Sequence, residues 1–352
     1  MPGLFVSGFH KPRRESARYD ALMRTSLSDL LASNRVLLAD GATGTNYFSA
    51  GLTSGEPPEF WTVDRPAEVT GLHQRFVEAG SDIILTNTFG CNPHRLKLHN
   101  AQDRTYELAK RAAELARQVA DAANRPIVVA GSVGPTGELF EPMGALTHET
   151  AVESFTTQIR GLRDGGADVA WIETMSSPEE VNAAAEAATA AGLPYVITYS
   201  FDTAGRTMMG LLPRSVADTV ASQAVAPVAI GANCGVGASD ILVSLLHMQD
   251  SPYPLVTKGN CGVPHFKGTE VVYSGTPELM ANYARLAVDA GARIIGGCCG
   301  TTPDHVAAMR ASIDAHVRGQ PPTIDTIIEQ VGSLTNVVPS EDTKRSPRRS
   351  RR

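Results

Sequence analysis

The residues most able to do chemistry are the cysteines: Cys91, Cys234, Cys261, Cys298 and Cys299. Cys298 and Cys299 are adjacent, which is poor geometry for a mutual disulfide and points instead to metal binding. Glycines flank the pair (Gly296, Gly297, Gly300) and let the chain turn sharply there, so two neighbouring thiolates can reach one ion. Zinc prefers thiolates in tetrahedral geometry, and a catalytic zinc keeps one position open. A third thiolate would come from Cys234 or Cys261. Cys234 is favoured because it directly ends an apolar β-like run, in GANCG, whereas Cys261 lies in a longer loop. Cys91 suits a small buried hydrophobe. Three thiolates make an electron-rich site, weak at acidifying water but well suited to holding an incoming thiol. Two rival readings use the same residues. A structural zinc would be closed by Cys261 as a fourth ligand, and a zinc hydrolase would want histidine and carboxylate ligands with a general base nearby.

The elements that must position these cysteines alternate along the chain. Apolar, β-branched runs predict strands at residues 36–40, 82–87, 126–134, 168–173, 195–200, 227–234, 254–259 and 293–299. Amphipathic stretches predict helices at 66–79, 105–123, 150–165, 178–191, 215–224, 239–248, 276–290 and 302–317. The strands lack polar alternation, as strands buried on both faces do. Eight strand–helix units in this length favour a closed (β/α)₈ barrel, a TIM barrel in one domain, over an open doubly wound sheet. The turn after the first strand, DGATGT, is Gly-rich but is not the GxGxxG of a dinucleotide site. In such a barrel the strand C-termini build the active site. Cys234 then closes strand six, the Cys298–Cys299 pair closes strand eight, and Cys91 falls just past strand two.

The domain reading is an N-terminal extension at 1–25, the barrel at 26–318 and a C-terminal segment at 319–352. Periodicity fades after about Gln320, and the end, KRSPRRSRR, reads as a disordered basic tail. Residues 1–22 would be a leading extension if translation starts at Met23. The net charge of −6 gives no electrostatic case for nucleic acid or an anionic membrane. No apolar run approaches the roughly 18 residues of a membrane span, and no secretory signal is evident, so a cytoplasmic enzyme is expected.

Several stretches resemble the homocysteine S-methyltransferase family: LLADGATGT (37–45), DIILTNTF (82–89), VAGSVGPTGE (129–138), WIET (171–174), GANCG (231–235) and GGCCGTTPDH (296–305). The resemblance runs over roughly residues 35–315. It implies a zinc ion on Cys234, Cys298 and Cys299, with the homocysteine thiol as fourth ligand. It also implies that Asp40, Gly41 and Glu173 hold the amino-acid end of homocysteine, and Asn233 is placed in the same substrate-binding set. Methionine is the expected product.

A quaternary ammonium or sulfonium donor would want aromatic faces. Tyr47, Phe48 and Trp61, after strand one, are candidates to wall its pocket, and Phe89 ends strand two. SFDTAGRTMMG (200–210) and YSGTPELM (273–280) look closer to a bacterial betaine–homocysteine methyltransferase branch, which makes betaine the favoured donor. The animal betaine enzymes carry a tyrosine after their strand-two Thr-Phe, where this chain has Gly90. S-methylmethionine, another sulfonium, or a corrinoid partner in a split cobalamin-dependent methionine synthase are the alternatives.

Overall fold

A computed structural model describes residues 24–267 and 270–336. The main sheet has eight strands: β1 (Leu37–Leu38), β2 (Ile83–Leu85), β3 (Val128–Val133), β4 (Val169–Met175), β5 (Tyr195–Tyr199), β6 (Ala229–Cys234), β7 (Leu255–Gly259) and, after a hairpin, β10 (Ala292–Gly297). Every pairing in it is parallel, in the order β1-β10-β7-β6-β5-β4-β3-β2. A parallel bridge from Ala39 to Ile83 joins the two ends. Asp40 N donates to Ile83 O at 3.0 Å and Asp82 N to Leu38 O at 2.6 Å across that seam. The sheet is therefore a closed (β/α)₈ barrel, as the strand–helix alternation predicted.

The lower barrel interior is apolar. Leu37, Ile83, Val128, Val169, Trp171, Val196, Val256 and Ile294 fill it, and Leu27 and Leu31 of helix Leu27–Ala32 close its N-terminal end. That short helix is held by a capping box between Ser26 and Asp29. A second, larger core lies between the sheet and the outer helices, where alanine-rich faces such as Ala183, Ala184 and Ala187 of Pro178–Ala191 allow close approach.

Four local expectations change. The first strand shortens to Leu37–Leu38. The helix expected at 215–224 is a 3₁₀ turn at Pro213–Ser215 followed by Val216–Val220. A two-stranded antiparallel hairpin, β8 (Pro264–Lys267) and β9 (Glu270–Tyr273), interrupts the chain after β7 where a loop was expected. Beyond Gln320, where periodicity faded, helix Ile324–Val331 forms under a Thr323 cap and buries Ile327 and Val331 against the barrel helices. Eight residues give too few turns for a 3.6-residue period to stand out. Residues 1–23 and the basic tail lie outside the described residues. Among the described residues no helix is long and apolar enough to cross a membrane.

Candidate active site

β6 and β10 both pair with β7, so the strand order alone sets Cys234 and the Cys298–Cys299 pair on either side of one strand at the barrel mouth. The chain leaves both strands through left-handed backbone: φ is 61° at Cys234, 68° at Gly235 and 79° at Gly300. Asn260, just past β7, ties the two turns together. Its Oδ1 accepts from Cys299 N at 3.1 Å and its Nδ2 donates to Gly235 O at 2.9 Å. Cys298 N donates to Gly259 O at 2.7 Å, and Thr45 Oγ1 accepts from Gly300 N at 3.2 Å.

The outcome is that the Sγ atoms of Cys234, Cys298 and Cys299 lie within 4.8 Å of one another, close enough for one ion to touch all three. No fourth histidine, cysteine or carboxylate joins them among the described residues. Cys261 is buried, with its sulfur turned toward Gly275, where an added Cβ would stand 2.6 Å away. Three soft donors that line a cleft fit a thiophilic metal. The crowded thiols share negative charge. Hydrogen bonds from Cys234, Cys298 and Tyr273 hold Cys299 far below the ordinary thiol range, while the bonds Cys234 makes to Cys298 and Cys299, together with burial, push it up. Cys234, Cys298 and Cys299 would hold a cation between them, whose charge would favour the thiolate form of all three. Tyr273 reaches this centre from β9. Its ring lies over Gly300, where a Cβ would meet Cγ at 2.4 Å.

A cleft of about 660 Å³ opens from the sulfurs to the surface. Its inner end is lined by Gly41, Ser132, Glu173, Thr174, Lys258 and the three cysteines. Glu173 is buried and accepts a hydrogen bond from Ser132 Oγ. Burial pushes its carboxyl up to about 7, although Lys258 pulls the other way. Lys258 Nζ sits 2.9 Å from Asp40 Oδ1 and 5.8 Å from the centre of the Trp171 ring. Asp40 Oδ2 accepts from Leu85 N at 2.7 Å.

Gly41 and Glu173 thus line the cleft. Asp40 and Asn233 stand behind its wall instead. Asn233 Oδ1 accepts from Thr174 N and from Thr198 Oγ1, each at 2.7 Å. Its Nδ2 donates to Thr174 Oγ1 at 2.7 Å and points at Cys298 Sγ, 3.9 Å away. Thr174 holds φ of 60°, and these bonds keep it there.

At the outer end, Phe48 and Phe89 line the cleft with Glu59, Arg95, Leu98 and His99. Of the three aromatic residues proposed for a donor pocket, Phe48 lies there. Tyr47 and Trp61 do not: both are buried, with ring centroids 5.0 Å apart, and Trp61 Nε1 donates to Glu56 Oε1 at 2.9 Å. Residues 47 and 48 sit on helix Gly44–Ser49, where neighbours point about 100° apart, so one turns inward when the other turns out. Sequence reasoning passed over Lys258, Ser132, Asn260 and Tyr273. A lysine closing a buried strand, in PLVTKG, was the one signal on offer, because an unpaired charge does not persist there.

With this geometry in view, the relatives are informative. A family model described as homocysteine S-methyltransferase matches residues 37–313, from β1 to helix Pro303–Ala315. The chain belongs to the homocysteine S-methyltransferase family. Within it, the chain is 31% identical over 306 residues to methionine synthase of Mycobacterium leprae (strain TN), covering 82% of this chain and 25% of that protein. For methionine synthase of Mycobacterium tuberculosis (strain ATCC 25618 / H37Rv) the figures are 31% over 309 residues, 83% and 26%. The chain spans about a quarter of the length of these relatives. The homocysteine methyltransferase MmuM from Escherichia coli, in its metallated form, superposes with a TM-score of 0.68 at 26% identity, covering 80% of this chain and 98% of that one. Its oxidised form gives 0.65 at 27% identity, with 78% and 95% covered. All the cleft-lining residues and all three clustered cysteines of this homocysteine S-methyltransferase family member fall inside the matched region.

Proposed function

We propose that this chain transfers a methyl group to the thiol of homocysteine to give methionine, with zinc held by Cys234, Cys298 and Cys299 and betaine as the methyl donor. The observation that carries the reading is the trio of sulfurs within 4.8 Å, open on its cleft side and lacking a fourth protein ligand among the described residues. When bound, zinc supplies the positive charge that keeps a thiol, ordinarily ionised near pH 8.5, in its thiolate form at neutral pH.

The protein's residues supply placement. Glu173 and Lys258 line the cleft beside the cysteines, so a carboxyl and an ammonium stand ready for the ammonium and carboxylate of an amino acid, and a bound substrate ammonium would favour the ionised form of Glu173. Asp40 keeps Lys258 charged and aimed, and Asn233 keeps the Thr174 turn and Cys298 in register. The homocysteine sulfur then attacks the methyl carbon in line. A sulfur–carbon bond forms, the carbon–nitrogen bond breaks, and its electron pair leaves with dimethylglycine. The thiol proton is released to solvent on binding, so no protein base takes part in the transfer. Orientation of two bound reactants accounts for much of the rate. A thiolate-rich centre suits the reducing cytoplasm.

One observation favours a second reading: the curated relatives are methionine synthases of which this chain spans a quarter. On that reading the barrel is a homocysteine module served by a corrinoid partner. The experiment is a donor screen. Zinc-loaded protein and homocysteine are mixed with betaine, S-methylmethionine, dimethylsulfoniopropionate or methylcobalamin, and methionine is measured. Betaine should give the fastest production. A rate no higher than the enzyme-free control with all four ends the proposal.

A further inference from the structure

The outer half of the cleft carries charges that homocysteine does not use. Helix Pro93–Leu96 and the turn Lys97–His99 follow β2 and bring four basic residues close together: His94, Arg95, Lys97 and His99. Lys97 pairs with Glu138, and His94 Nδ1 lies 4.0 Å from the same carboxylate, although burial and Lys97 push the imidazole down toward its neutral form. Arg95 is different. It turns into the cleft, and among the described residues its guanidinium has no hydrogen bond and no ion pair. Gly137 leaves it room, since a Cβ there would stand 3.1 Å from Nη1. Glu59 lines the same stretch. It is buried, spends Oε1 on Gly90 N at 2.6 Å, and has no cation within ion-pair distance among the described residues. Burial pushes its carboxyl up, while the bond from Gly90 N and, from farther away, Arg95 and His99 pull the other way. Phe48 and Phe89 present partly exposed rings between the sulfurs and the rim, 53% and 38% exposed.

A free guanidinium, a buried carboxylate and two aromatic faces together complement a small molecule that carries both an onium centre and a carboxylate. An onium group with no N–H cannot donate hydrogen bonds, so charge and aromatic faces must recognise it. A carboxylate, by contrast, is matched by the planar fork of an arginine. We propose that Arg95 binds the carboxylate of the methyl donor and Glu59 faces its onium group, so that the cleft selects donors bearing both charges. The inference rests on the methyl-transfer reading for what the ligand is.

The test uses the full zinc-loaded chain without homocysteine, so that no turnover occurs, and titrates it calorimetrically with betaine and with tetramethylammonium. The wild-type protein should bind betaine more tightly. Arg95→Gln should weaken betaine by about 10- to 100-fold, the loss of a charged hydrogen-bonded pair, and leave tetramethylammonium unchanged. Glu59→Gln keeps an acceptor for Gly90 N–H and should weaken both. Steady-state KM for homocysteine should move in neither variant. Equal binding of the two ligands by the wild type, absence of betaine binding, or unchanged betaine binding in Arg95→Gln would overturn the proposal. Should the wild type make no methionine from any donor while Arg95→Gln still loses betaine, the methyl-transfer reading fails and the binding site stands.

Discussion

Asp40 and Lys258 lie 218 positions apart in the chain and meet at 2.9 Å beneath the cleft, both almost wholly buried. Burial alone would pull the Lys258 ammonium down, but Asp40 and Glu173 outweigh it and hold it charged. Two carboxylates thus share one ammonium. Replacing Asp40 with Asn leaves a buried charge without its nearest partner, and should cost about 3–5 kcal/mol of stability. Adding Lys258→Met removes that charge and should recover most of the loss. Urea denaturation of the metal-free single and double variants measures this, and simple additivity of the two changes would refute the coupling.

Burial, against the pull of Lys258, sets a pH dependence through Glu173. Its carboxyl is raised from 4.5 to about 7 by burial, so the native state keeps a proton that the unfolded chain releases. Stability from this group is therefore fully present below about pH 4.5 and is lost as pH rises to about 7, with no further change above. Glu173→Gln stays neutral throughout. The variant should gain on the wild type by up to about 3 kcal/mol between pH 4.5 and pH 8. Denaturation of both metal-free proteins across that range decides it, and parallel curves would show that Glu173 is not raised.

The cysteines separate a catalytic metal from a structural one. Cys234→Ser and Cys298→Ser should lose bound zinc and methionine formation together, because two sulfurs hold the ion poorly. Cys261→Ser should retain both, since its sulfur turns away from the trio. Metal content by atomic emission, read beside activity, checks this. Loss of zinc from the Cys261 variant would instead make it a ligand.

Asn233 is expected to act on the metal through its neighbours. Asn233→Ala removes the bonds to Thr174 and Thr198 and the approach to Cys298. A stability loss of about 1–3 kcal/mol follows from the orphaned groups, with zinc affinity falling about 10- to 100-fold. Competition with a chromogenic chelator measures the second effect. A variant that is destabilised but binds zinc as tightly as the wild type would confine Asn233 to a structural role.

The barrel was legible because each long apolar run stands clear of its amphipathic helix. Its shortest pieces were not. β1 forms ladder pairs at Leu37 and Leu38 alone, and helix Ile324–Val331 is too brief to show a period. The hairpin Pro264–Lys267 and Glu270–Tyr273 is an insertion after β7 that the barrel pattern does not require. It nevertheless carries Tyr273 to Cys299.

From its residues alone, this chain determined the eight-fold alternation and the positions of Cys234, Cys298 and Cys299 at strand ends, since hydrophobic period and glycine-flanked turns are local properties. Tertiary structure decided everything that depends on which side of a turn faces inward. It sent Tyr47 and Trp61 into the core and Phe48 to the cleft, paired Asp40 with Lys258 across the closing barrel, and turned Cys261 away from the other sulfurs. Those choices depend on partners far away in the chain, and no spacing along one segment encodes them.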